Sequence, residues 1–198
     1  MSGVRWRSLV WGAALTGGAA AVGHVVMRTQ AGAEADRSLF ASVNHGHGPG
    51  PDRFFGGVTE LGSLYAAAAA AGTMGLLGRR RAAIRAFAAA AATWALGQAV
   101  KKAIDRPRPY EDDPDGTRKL IAEPAGTSWP SSHPAVLTSF TRVAARDLAL
   151  GATSRAALTA LDLSVAASRV YLGVHYPGDV VSGLLMGRAV ARLWPRRR

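Results

Sequence analysis

Residues 168–179 read Ser168-Arg169-Val170-Tyr171-Leu172-Gly173-Val174-His175-Tyr176-Pro177-Gly178-Asp179. The stretch ends one apolar run and begins another, so it reads as the turn between two helices. Pro177 at a first helical position would place Asp179 in the first turn of the second helix. A guanidinium offers a planar fork of donors and a hydroxyl adds one more, so Arg169 and Ser168 suit phosphate oxygens. His175 follows as a possible nucleophile. A nearby carboxylate such as Asp179 would fix its tautomer and stabilise a positive imidazole.

Working outward, the 198-residue chain is 48% hydrophobic and carries a formal net charge of +11. Its mean hydropathy is only +0.08, because most apolar positions are alanine and the charges are numerous. It contains no cysteine, which excludes disulfides, thiol catalysis and thiolate metal sites. The excess positive charge fits nucleic acid, an anionic membrane surface or an anionic substrate. Lys and Arg fall in short clusters (Arg5 and Arg7, 79–81, 101–108, 196–198) separated by apolar runs. That punctuation resembles membrane topology signals more than the basic stripe with interleaved aromatics of a nucleic-acid binder.

Six spans are expected: 8–27, 61–78, 82–100, 133–150, 155–172 and 177–194. The first is an uncharged run of about 20 residues, the length that crosses a bilayer as a helix. A cleaved signal peptide is the alternative, with Ala31-Gly32-Ala33 as the cleavage site, but the run is long for that purpose and an anchor is favoured. Residues 28–57 read as a polar loop with Gly and Pro. His45 and His47 within it lack a third ligand, so the loop reads as solvated rather than metal-binding. Residues 101–129 read as a charged, Pro-rich loop. Arg142 and Asp162, at similar depth in the fourth and fifth spans, are expected to form a buried pair.

Strict alternation of six spans puts the clusters at Arg5/Arg7, 79–81, Arg155 and 196–198 on one side, cytoplasmic by the positive-inside rule. The same alternation brings 101–129 and the His175 turn together on the opposite face. The cluster from Lys101 to Arg108 breaks the charge rule, which suggests that it is kept there for chemistry.

Three groups share that face: Lys101 with Arg108-Pro109; Pro130-Ser131-Ser132-His133 at a helix start, where N–H groups and hydroxyls form an anion cradle; and the 168–179 stretch. In order and spacing, from Lys101 to Asp179, they resemble the three-part signature of the type 2 phosphatidic acid phosphatase superfamily. Thr59-Glu60-Leu61-Gly62-Ser63 also resembles an upstream segment of bacterial members. Ser132 is a departure, since the family more often has Gly there. The resemblance implies an all-α fold, here a six-helix transmembrane bundle formed by residues 1–198 as one domain, with its site at the outer interface. It implies His175 as nucleophile in a phosphohistidine mechanism, Asp179 as its orienting partner and His133 as general acid. Lys101, Arg108, Ser131, Ser132 and Arg169 would bind the phosphoryl oxygens, with no metal or other cofactor required. The expected substrate is a lipid phosphate or diphosphate, phosphatidate-like or polyprenyl, and both termini would be cytoplasmic.

Vanadate-dependent haloperoxidases share this constellation but are soluble and typically larger, so six short spans in this length argue against them. Soluble acid phosphatases of the superfamily are nearer in size but would need a cleaved signal and amphipathic helices. A catalytically silent membrane relative would usually lack one of His133, His175 and Asp179, all present here.

Overall fold

The structure, a computed structural model, describes residues 2–196. Its regular elements among these residues are all helical: α1 (Ser2–Arg28), α2 (Gln30–Val43), α3 (Pro49–Glu60), α4 (Leu64–Leu76), α5 (Arg80–Ala103), α6 (Pro109–Asp112), α7 (Ser132–Asp147), α8 (Ala152–Tyr171) and α9 (Pro177–Leu193). The six expected spans correspond to α1, α4, α5, α7, α8 and α9. By length and composition, Trp6–Arg28 within α1 is long and apolar enough to cross a membrane. Helix α4, at 13 residues, is about 20 Å long at 1.5 Å per residue, short of a ~30 Å hydrocarbon core.

Residues 28–57 are not the loop that their composition suggests, since they hold α2 and α3. Thr29 caps α2 by accepting from the backbone N–H of Gly32 at 3.1 Å, and the helix buries only Asp36 and Phe40, one turn apart. Helix α3 opens on Pro49 and buries only Thr59. So narrow a buried face leaves no apolar run in the sequence. Of the 101–129 segment, residues 101–103 end α5 and the rest is irregular apart from α6.

Helix α7 is central and packs against α5, α9 and α8. Ala86, Ala89 and Ala90 of α5 meet Val136, Phe140 and Val143 of α7 in the main core. The small side chains explain how an alanine-rich sequence packs: they let the axes approach. At Gly183 and Gly187 of α9 the approach is closer still. A Cβ on either would lie 2.3 Å from the Ser131 carbonyl oxygen or 2.4 Å from that of Ala135, so this face of α9 admits only glycine beside α7. A second cluster joins Phe40 of α2 to Val170, Tyr176, Val180 and Leu184.

The expected Arg142–Asp162 ion pair does not form. Asp162 is buried and accepts from the Thr141 hydroxyl at 3.0 and 3.3 Å, because the neighbouring hydroxyl reaches the carboxylate within the core. Arg142 instead borders a cavity that Asp162 also lines.

Candidate active site

The end of α5, the start of α7, the end of α8 and the start of α9 converge at one end of the bundle, so the three expected groups meet there. Gly173 makes the turn between α8 and α9 with φ of 78°, and a Cβ there would stand 2.5 Å from the Arg118 carbonyl oxygen. The turn returns the chain so that the backbone N–H groups of Val174 and His175 both reach the Arg169 carbonyl at 3.2 Å. Asp179 then falls in the first turn of α9, as expected, and accepts from the Tyr176 backbone N–H at 2.9 Å.

His175 is 2% exposed and Asp179 is fully buried. Nδ1 of His175 lies 3.5 Å from Oδ2 of Asp179 and 3.4 Å from the Ser128 hydroxyl, which itself donates to the same Oδ2 at 2.5 Å. On the other side of the ring, Nη1 of Arg108 is 3.3 Å from Nε2. A guanidinium only donates, so this contact leaves Nε2 with its lone pair and puts the proton on Nδ1. Burial, then the charges of Arg108, Arg169, Lys101 and His133, hold the His175 imidazole well below its ordinary pKa. The ring is therefore neutral at pH 7.

Arg108 is held by the loop it leaves. It donates from Nε to the Gly126 carbonyl at 2.9 Å and from Nη1 to the Val174 carbonyl at 2.9 Å, with longer contacts from Nη2 to Ala125 and Thr127. Lys101, just past the apolar run of α5, donates to the carbonyls of Thr127 and Ser128. Burial and then the charge of Arg108 push its ammonium down to a pKa of about 8.

Ser131 occupies the N-cap position of α7, yet its hydroxyl makes no capping bond. Its backbone N–H donates to the Asp179 carbonyl at 3.0 Å, which ties this helix start to the next. The hydroxyls of Ser131 and Ser132 and the Nε of Arg169 are buried without hydrogen-bond partners among the described residues. Arg169 is fixed instead through Nη1, 2.8 Å from the Thr59 hydroxyl. Leaving buried polar groups unpaired costs about 1–3 kcal/mol each, a cost that an oxyanion would relieve at any of them it reached. His133, in the first turn of α7, lies within the field of Arg169, Arg108 and Lys101.

The sequence left four participants without a role. Ser128 bridges His175 and Asp179. Arg106 donates to Oδ1 of Asp179 at 2.5 Å and to Oδ2 of Asp36 at 2.6 Å, and Asp36 also accepts from the Gly178 backbone N–H at 2.7 Å. Thr59 positions Arg169. Arg106 was visible within the basic cluster and Thr59 within the upstream segment, but nothing local marked Ser128 or Asp36. Among the described residues no three His, Asp or Glu side chains gather as metal ligands. His45 and His47 pair with each other, ring centroids 4.0 Å apart.

Comparison with known proteins gives the family and the fold. The PAP2 superfamily profile matches residues 82–198. Decaprenylphosphoryl-5-phosphoribose phosphatase of Mycobacterium tuberculosis is 31% identical over 122 residues, 62% of this chain and 64% of that protein. The Mycolicibacterium smegmatis protein of the same name is 35% identical over 124 residues, 63% of this chain and 64% of its own length. The chain thus spans somewhat less than two thirds of these relatives. Among solved structures, a transmembrane PAP2-type phosphatidylglycerolphosphate phosphatase from Bacillus subtilis superposes with a TM-score of 0.73 at 23% identity, over 94% of this chain and 92% of that one. LpxE of Aquifex aeolicus gives 0.68 at 26% identity, over 78% and 90%.

Proposed function

The chain belongs to the PAP2 superfamily, and on that premise we propose that it is a metal-independent phosphatase of lipid phosphates, built as a single membrane-embedded domain. The observation that carries the reading is the set of buried, unpartnered donors on Ser131, Ser132 and Arg169, beside a neutral His175 whose Nε2 lone pair is free of its own proton.

In this reading Nε2 of His175 attacks phosphorus while the bond from phosphorus to the lipid oxygen breaks. The electron pair goes to that oxygen, which takes a proton from His133, protonated in the complex because the negative phosphate offsets its burial and the charges of Arg169, Arg108 and Lys101. The same His133 then accepts a proton from water as the water attacks the phosphohistidine. The P–N bond breaks, inorganic phosphate leaves and His175 returns to its starting state. Lys101, Arg108 and Arg169 offset charge on the equatorial oxygens, which is most of what phosphoryl transfer asks of a protein. Asp179 and Ser128 stabilise the positive ring while phosphorus is bound. General acid catalysis by His133 contributes about 10²–10⁴-fold.

The relatives point toward a polyprenyl-linked phosphate monoester as the first substrate to try. A membrane location is supported by α1 and by exposed apolar side chains such as Trp6, Trp11, Leu76, Leu77 and Ile84, an amount of exposed apolar surface that calls for a partner phase. In the proposed topology both termini lie in the cytoplasm and the site opens at the outer face.

The test is phosphate release by the detergent-purified chain, with and without EDTA. The panel holds a polyprenylphosphoryl phosphoribose, phosphatidylglycerol phosphate, phosphatidate, a polyprenyl diphosphate and a soluble phosphate ester. EDTA-resistant turnover of a lipid, with radioactive phosphate trapped on His175 after acid-free quenching, is the expected outcome. Turnover that persists in His175→Ala would overturn the mechanism.

A further inference from the structure

At the end of the bundle remote from His175, helices α1, α7, α8 and α9 enclose a cavity of about 530 Å³. Arg142 stands nine residues beyond His133 on α7, and Arg188 nine beyond Asp179 on α9, which is about 14 Å of helix in each case. Six arginines line the cavity (Arg142, Arg146, Arg155, Arg188, Arg192 and Arg196) against one carboxylate, Asp162. That carboxylate is engaged by Thr141.

Three of these arginines have protein partners. Arg146 reaches Asp147 at 3.1 Å and the carbonyls of Ala191 and Trp194 at 3.2 Å. Arg155 donates to the Leu150 carbonyl at 2.8 Å, and Arg196 to the Ser8 hydroxyl at 2.6 Å. Arg142, Arg188 and Arg192 differ: the Nε of each is buried without a hydrogen-bond partner among the described residues. Arg142 lies in the fields of both Arg188 and Asp162. Guanidiniums gathered six to one carboxylate about a cavity, with buried donors unpaired, are costly unless an anion joins them. Their planar forks match the oxygens of a phosphate group. Trp11, Leu15 and Leu158 also line the cavity, and Trp11 is 54% exposed, so the lining combines cationic and apolar surface.

We propose that this cavity is a second, non-catalytic anion site that takes the phosphate of an anionic glycerophospholipid, with the glycerol and acyl root against Trp11 and Leu158. Basic pockets between helices at the membrane surface are suited to such headgroups. The lipid as source rests on the membrane placement proposed above, and a soluble phosphate would offer the same chemistry.

The test follows the melting temperature of the full chain in a non-ionic detergent, titrated with short-chain phosphatidylglycerol, short-chain phosphatidylcholine or sodium pyrophosphate. Phosphatidylglycerol should raise it saturably and phosphatidylcholine should not. In the double variant R188Q/R192Q the midpoint should weaken about tenfold or more, the scale of one lost charge-assisted hydrogen bond, with turnover of a soluble ester unchanged. The shift should persist in His175→Ala, so a failed catalytic reading would leave this result standing. A pyrophosphate shift that matches the lipid's and is lost in R188Q/R192Q supports the anion site with a soluble ligand in place of the lipid. Equal phosphatidylglycerol midpoints in the unaltered chain and R188Q/R192Q, or no shift in either, would overturn the proposal. Fluorescence covers the case in which R188Q/R192Q fails to fold. Phosphatidylglycerol brominated near the headgroup should quench the emission component lost in Trp11→Phe more strongly than brominated phosphatidylcholine, and equal quenching by the two overturns the proposal.

Discussion

Arg106 and Arg192 sit at opposite ends of the same helical bundle and are treated in opposite ways. Arg106 is buried between two carboxylates, Asp179 and Asp36, with its guanidinium carbon 4.7 Å from the centre of the Tyr176 ring. Arg192, at the far end of α9, lines a cavity with a buried Nε that no described residue answers. The first arrangement spends its charges on holding a carboxylate in place. The second leaves them available. Burial of a cation therefore does not by itself distinguish structure from ligand binding, whereas the number of protein partners does.

The contrast can be pressed from its strongest point downward. His175→Ala should lower phosphate release about 10⁴-fold or more, the usual scale for loss of a nucleophile, with little change in melting temperature. Arg106→Met would strand two buried carboxylates and should destabilise by about 3–5 kcal/mol, seen in chemical or thermal unfolding. Ser128→Ala removes one hydrogen bond to Asp179 and one neighbour of Nδ1. It should reduce kcat about tenfold, the equivalent of one modest hydrogen bond, with KM nearly unchanged.

A subtler effect belongs to Lys101. Its pKa in the folded chain is about 8, so the ammonium is charged below that pH and neutral above it. A descending alkaline limb in kcat/KM near pH 8 is expected, and Lys101→Arg should move it upward. The linkage runs the other way for stability: between about pH 8 and 10.5 the unfolded chain binds a proton that the folded chain does not, so this group favours folding more as pH rises through that window. Smallest of all, Arg192→Met should leave stability unchanged or raise it by about 1 kcal/mol in lipid-free detergent, since it removes a buried unpaired Nε. Melting temperatures that fall equally for Arg106→Met and Arg192→Met would erase the contrast between the two ends.

The bundle's long helices could be read from the chain because each carries an apolar or alanine-rich run with basic punctuation, and the convergence of Lys101, Ser131, His175 and Asp179 followed from alternation alone. Helices α2 and α3 could not, since each hides its buried face in one or two residues. The same limit applies to the polar network. Asp36 and Ser128 act through partners more than forty positions away, and no local pattern records a contact of that kind. Arg142 and Asp162 show the converse. Matching depth on adjacent helices suggested a pair, but a hydroxyl on the next residue, Thr141, was nearer to the carboxylate.

The bridge that Arg106 makes has a bearing on chimeras. Residues 82–198, grafted beneath the first helices of another family member, would bring every element of the three-part signature and still leave one hand of that guanidinium empty. A foreign segment has to deliver a carboxylate to Nη2 of Arg106 and the N–H of Gly178, where Asp36 now stands. Compatibility between the halves of two relatives thus includes a demand on one side chain outside residues 82–198, which carry the family match. Overall percentage identity gives no measure of it.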